Sequence, residues 1–97
     1  MTKTEHRARI TWSPALEQQG LPTIHESIDP AWLPSARSEG WSLKYRFATP
    51  PNEQGNPSEA QVSFLMDNAP HDQLRPGAKL LLFEKWTGER IVVEILD

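Results

Sequence analysis

At 97 residues, the chain has the length of one domain, and we expect a single domain over residues 1–97. It contains no cysteine, which excludes disulfides, cysteine-bound zinc and a thiol nucleophile. The net charge of −3 argues against attraction of nucleic acid by bulk electrostatics. The first ten residues lack the apolar run of a signal peptide, and the longest apolar run, 80–83, is too short to span a bilayer. These features predict a cytoplasmic protein that does not associate with membranes.

The chain opens with a strand pattern and continues into a segment rich in proline. Residues 7–12 alternate between polar and apolar side chains, which is typical of a half-buried strand. Residues 14–40 hold prolines at 14, 22, 30 and 34, so we expect a long ordered excursion there. Within it we expect a helical turn near 14–18, one short strand near 23–28 and a turn at 38–40. Trp32 then lies in an irregular part, either as a knob for a partner or as a plug that fixes the loop to the barrel.

The remaining segments are also typical of strands. Residues 41–47 place Trp41, Tyr45 and two other apolar side chains on one face, and residues 60–66 form a third alternating face that ends in Met66. A connector with one helical turn follows over 67–77. Strands at 78–86 and 90–96 then flank a short glycine-containing hairpin loop at 87–89. We expect Phe83 in the core and Trp86 half-exposed beside this loop.

These patterns give five strands and one or two further short ones, with turns at short spacing. Strict alternation in so small a chain favours a closed or nearly closed barrel, because closure removes exposed sheet edges. The sequence therefore predicts an all-β fold with little helix.

The last third of the chain resembles a known domain family. Residues 74–84, LRPGAKLLLFE, and residues 88–96, GERIVVEIL, resemble the closing hairpin of the third, C-terminal domain of elongation factor Tu, and residues 45–47, YRF, are similar to a central strand of that domain. The resemblance implies a small six-stranded antiparallel barrel. In the elongation factor that barrel contacts aminoacyl-tRNA and partner proteins and performs no chemistry itself. Val92 and Glu94 stand where the family usually carries glycine.

The sequence offers little for catalysis. His6, His25 and His71 each lack a histidine or cysteine at ligand spacing, and solvated surface positions explain them. Glu84 and Glu94 could face each other across the last hairpin, but Lys85 and Arg90 are available to neutralise them. We therefore expect no enzyme activity, no metal site and no cofactor.

Two kinds of binding residue stand out. Arg7, Arg9, Lys44 and Arg46 occupy the polar faces of two strands and could form a basic patch, or could be a solvated face paired with acids. Trp41 and Tyr45 point to the opposite face, so the aromatic half of a nucleic-acid site is missing there. The favoured hypothesis is a non-enzymatic binding module for a protein partner, in which Trp32 and Trp86 are the candidate contacts. The alternative is a barrel that binds nucleic acid through the basic strand face.

Overall fold

The computed structural model describes residues 5–33, 36–83 and 90–97, which form a closed antiparallel β-barrel. The strands are neighbours in the order β1-β4-β3-β2-β5-β6, and β6 pairs with β1 to close the ring. Their bounds are β1 His6–Trp12, β2 Glu26–Leu33, β3 Ala36–Arg46, β4 Ser58–Phe64, β5 Lys79–Phe83 and β6 Arg90–Ile95. Two short helices, α1 Pro14–Gln19 and α2 Pro51–Gln54, and a 3-10 turn at His71–Gln73 complete the described elements. The prediction of an all-β barrel with little helix is confirmed.

The core fills the inside of the barrel with the apolar side chains that alternate along each strand. Ala8 shows the closure directly, because it pairs with Ala60 of β4 on one side and with Ile95 of β6 on the other. Three fully enclosed side chains, each 1% exposed or less, come from β1, β3 and β4: Ile10, Leu43 and Phe64. Closure therefore buries the predicted apolar face of each of these strands and leaves the opposite face to solvent.

The first helix forms where the sequence predicts a helical turn. Ser13 provides the N-cap, since its Oγ accepts a hydrogen bond from the amide of Leu16 at 3.2 Å. Pro14 occupies the first helical position, where a missing amide hydrogen costs nothing. Leu16 is the buried residue of this helix and packs on the core.

The segment 14–40 contains more sheet than the prolines suggest. Two predictions for it are wrong, and the predicted strand begins later and is longer than expected. The strand expected near 23–28 lies at Glu26–Leu33, so Trp32 belongs to a strand and not to an irregular loop. The turn expected at 38–40 lies within β3. Gly40 pairs with Trp32 across the two strands, and a Cβ built on Gly40 would lie 3.1 Å from Cε2 of the indole. The glycine thus makes room for an aromatic ring and does not mark a bend.

The ends of β4 and β5 differ from the predictions in other ways. The strand ends at Phe64, so Met66 lies outside the barrel and is 51% exposed, although the sequence predicts it on the inner face. β5 and β6 form the predicted hairpin pair, in which Phe83 is opposite Arg90. The connecting loop with Trp86, and the side chain of Phe83, lie outside the described part of the structure. No helix in the described residues is long and apolar enough to cross a membrane.

Candidate binding surfaces

The four predicted cations lie on the outer face of the barrel, but β4 lies between their two strands. Arg7 of β1 and Arg46 of β3 both pair with Gln61 of β4, so these two cations flank one glutamine. Arg9 is opposite Glu59, and Lys44 is opposite Ser63. The structure therefore brings the four residues onto one face while it separates them by an uncharged or acidic row.

Each of the four cations also has a carboxylate partner. Arg7 Nε is 3.5 Å from Asp97, and Arg9 Nη1 is 3.5 Å from Glu94. Lys44 Nζ is 3.1 Å from Glu26, while Arg46 forms a two-pronged pair with Glu5 in which Nε donates at 2.9 Å. These pairs are solvent-exposed, so they add little to stability, but they offset the positive charge locally. This face presents ion pairs to solvent and not a field of unpaired cations.

The aromatic residues that alternate with these cations point inward. Tyr45 is buried and meets Phe47 edge to face, with ring centroids 5.6 Å apart. Trp41 packs partly buried against the core, and its indole Nε1 has no hydrogen-bond partner among the described residues. Neither ring is available to stack on a base at the outer face. A single-stranded nucleic acid would find on β3 no aromatic platform of the kind that such sites use.

The strand β2 has an inverted amphipathic pattern. Its inward positions carry Ser27, Asp29 and Ala31, while Ile28 and Trp32 point outward with Pro30 between them. Asp29 is only 8% exposed, and the hydroxyl of Tyr45 donates a hydrogen bond to its Oδ2. The small inward residues of β2 leave room for the large rings that β3 places inside the barrel. As a consequence, the large apolar side chains of β2 lie on the outside.

The exposed apolar surface extends beyond β2. Ile28 is 40% exposed, Trp32 is half-buried over Gly40, and Leu65 beyond β4 is 39% exposed. Pro30 pairs with Ser42, whose carbonyl accepts a hydrogen bond from the amide of Leu65 at 2.9 Å. Leu65 and Pro30 therefore lie on either side of Ser42, whose side chain is small. We call the surface formed by Ile28, Pro30, Trp32 and Leu65 the β2 stripe.

Sequence reasoning named one member of the β2 stripe, Trp32, and missed the other three. Alternation at 28, 30 and 32 is visible in the sequence, but the usual rule would place those apolar residues inside. The signal that could have reversed this interpretation is Asp29 together with Pro30, since a central inward carboxylate and a proline both oppose the ordinary pattern. Trp86, the other predicted contact, lies outside the described residues.

The histidines have ordinary roles in the described structure. His6 Nδ1 lies 2.9 Å from the backbone oxygen of Asp97, and His71 Nε2 lies 3.0 Å from the carbonyl of Met66. His25 is exposed next to the start of β2. Among the described residues, no three histidine or acidic side chains cluster in a way that could hold a metal ion. Glu84, the predicted counterpart of Glu94, lies outside the described residues.

Comparison of the chain with protein-family models, with curated proteins and with solved structures found no match. The resemblance to the third domain of elongation factor Tu stays a prediction. The fold itself rests on the strand order and the register described above.

Proposed function

We propose that this chain is a non-enzymatic binding module that docks a protein partner on the β2 stripe. The observation that carries the proposal is the inverted pattern of β2, which buries Asp29 and turns Ile28 and Trp32 toward solvent. Natural sequences usually agree with their fold at every level, and local violations of this agreement concentrate at functional sites. Large apolar side chains held outward by a rigid barrel suit the core of a protein–protein interface.

The proposal favours a protein over a nucleic acid for two reasons. The centre of the β2 stripe is apolar, whereas nucleic-acid sites are strongly positive. The basic residues of β1 and β3 lie beside carboxylates, so a phosphate backbone would meet a competing acid at each of them. Binding of nucleic acid through Arg7, Arg9, Lys44 and Arg46 is therefore the less supported alternative.

A pair of matched variants tests the proposal. Ile28 and Ile24 are 40% and 39% exposed, but only Ile28 belongs to the β2 stripe. Purified wild-type chain, Ile28→Glu and Ile24→Glu would be immobilised in equal amounts and exposed to lysate of the native cell, and captured proteins would be quantified by mass spectrometry. We expect a partner captured by the wild type and by Ile24→Glu to be lost with Ile28→Glu. A loss of about 2 kcal/mol, typical of an interface hot spot, corresponds to roughly a 30-fold weaker interaction.

The same experiment can refute the proposal. Capture of the same proteins in equal amounts by all three chains would show that the β2 stripe is not the docking surface. Circular dichroism of each variant provides the folding control, because both substitutions alter side chains that are largely outside the core.

A further inference from the structure

An open cavity of about 300 Å³ lies where β3 and β4 separate, on the side of the barrel away from β5. Arg46 and Gln61 form the last pair of the ladder between these strands, and the chain beyond β3 turns away at Ala48 and Thr49. The strand β4 continues past this point to Glu59 and Ser58, where β1 is its only neighbour among the described strands. Side chains or backbone that line the cavity come from Arg46, Ala48, Thr49, Gln54, Glu59 and Gln61. The volume is at the lower limit for sites that bind small molecules.

The walls of the cavity are fixed by a single side-chain amide. Gln54, the last residue of α2, donates from Nε2 to the carbonyls of Thr49 at 2.6 Å and Glu59 at 2.9 Å. Its Oε1 accepts from the amide of Glu59 at 2.8 Å. The side-chain amide of Gln54 thus takes the place of a neighbouring strand, because it forms hydrogen bonds with both the amide and the carbonyl of Glu59. A site held in this way is preorganised, so a ligand would not have to meet the entropic cost of ordering it.

The two charged side chains of the cavity, Arg46 and Glu59, differ in their ion pairing with the described residues. Arg46 is engaged with Glu5 through Nε and Nη2. The carboxylate of Glu59 forms no ion pair with any described residue, and Arg9, which is opposite it in the register, pairs with Glu94 instead. The cavity thus offers the carboxylate of Glu59, which can pair with a cation, and the Nη1 atom of Arg46, which forms no hydrogen bond with Glu5. Thr49 and Gln61 supply a hydroxyl and an amide between them.

We propose that this cavity binds a small zwitterion of the free amino-acid class, with its ammonium group on Glu59 and its carboxylate on Arg46. An ammonium group needs several acceptors, which the carboxylate of Glu59 and the oxygens of Thr49 and Gln61 provide. A carboxylate pairs most strongly with a guanidinium. Ala48 is exposed at the cavity and offers only a small apolar contact, so a ligand with a small side chain fits best. This site is independent of the β2 stripe.

Titration of the ¹⁵N-labelled chain with L-alanine tests the site by NMR. We expect saturable shifts of the amides of residues 46–49 and 59–61, with a Kd of about 1 mM, which is a modest value for so small and open a site. Ethylamine and acetate, which each carry half of the zwitterion, should bind at least about tenfold more weakly, which corresponds to the loss of one charged contact.

Glu59→Gln and Glu53→Gln form the matched pair of variants for the titration. Both glutamates are exposed, and Glu53 lies on α2 but does not line the cavity. Glu59→Gln should weaken binding of L-alanine about tenfold, while Glu53→Gln should bind as the wild type does. Absence of saturable shifts up to about 50 mM alanine, roughly fifty times the expected Kd, would overturn the proposal. Equal binding by Glu59→Gln and the wild type would overturn it as well.

Discussion

Removal of the Tyr45 hydroxyl should destabilise the barrel measurably. That hydroxyl donates a hydrogen bond to Asp29, which is 8% exposed and lies on the inner face of β2. A hydrogen bond to a charged group contributes about 1.5–3 kcal/mol, and Tyr45→Phe removes it while the ring stays in place against Phe47. We therefore expect the free energy of unfolding to fall by about 1.5–3 kcal/mol. A protein of this size has a marginal stability of roughly 5–15 kcal/mol, so the loss is a large fraction of it.

Urea denaturation followed by tryptophan fluorescence measures this loss, and a double-mutant cycle with Asp29→Ala, which removes the acceptor, assigns it to the pair. The control is Ser27→Ala, because the Ser27 hydroxyl lies at a longer 3.4 Å from the same oxygen of Asp29 and should contribute less than about 1 kcal/mol. A loss below about 0.5 kcal/mol in Tyr45→Phe would refute the reasoning. An undiminished loss in the Asp29→Ala background would also refute it, since the two residues would then act independently.

Two further predictions concern the core and the basic face. Phe64→Ala should lower the free energy of unfolding by about 3–5 kcal/mol, because the ring is fully buried. Leu65→Ala, at the adjacent position that is 39% exposed, should lower it by less than about 1 kcal/mol. Similar losses in the two urea titrations would show that the end of β4 is misplaced. A labelled single-stranded oligonucleotide should show no change of fluorescence anisotropy at physiological salt. Micromolar, salt-sensitive binding that disappears when Arg7, Arg9, Lys44 and Arg46 are changed together to alanine would instead favour the nucleic-acid alternative.

Strands whose apolar residues point inward can be predicted from the sequence, whereas the orientation of a strand with outward apolar residues, such as β2, is predicted incorrectly. Ile10 and Val62 follow the period of two and are buried, so β1 and β4 are recognisable from the sequence. The strand β2 is harder, because its inward positions include a carboxylate that accepts a hydrogen bond from Tyr45, sixteen residues later. No local pattern contains that partner. Asp29 beside Pro30 is visible in the sequence as a departure from the ordinary pattern, but the aromatic side chain that accommodates it comes from another strand.

The cavity beside α2 shows a second limit of local patterns. Residues 50–58 are mostly polar, yet Pro51 is buried. The side-chain amide of Gln54 forms three hydrogen bonds, two with Glu59 of β4 and one with Thr49. Glutamine has no sequence signature for this role, since its partners are backbone groups that any residue supplies.

The closure of the barrel sets the order in which the fold can be completed. Ala8 of β1 pairs with Ile95 of β6, so the ring joins residues that are 87 positions apart in the chain. Barrels with such distant pairings fold in milliseconds to seconds, because the loop must close before the contact can stabilise it. During synthesis on the ribosome, β1 and β5 each lack a neighbour until β6 emerges, and open strand edges promote aggregation. Expression of this chain should therefore depend on how soon β6 emerges from the ribosome, and slow emergence should favour inclusion bodies.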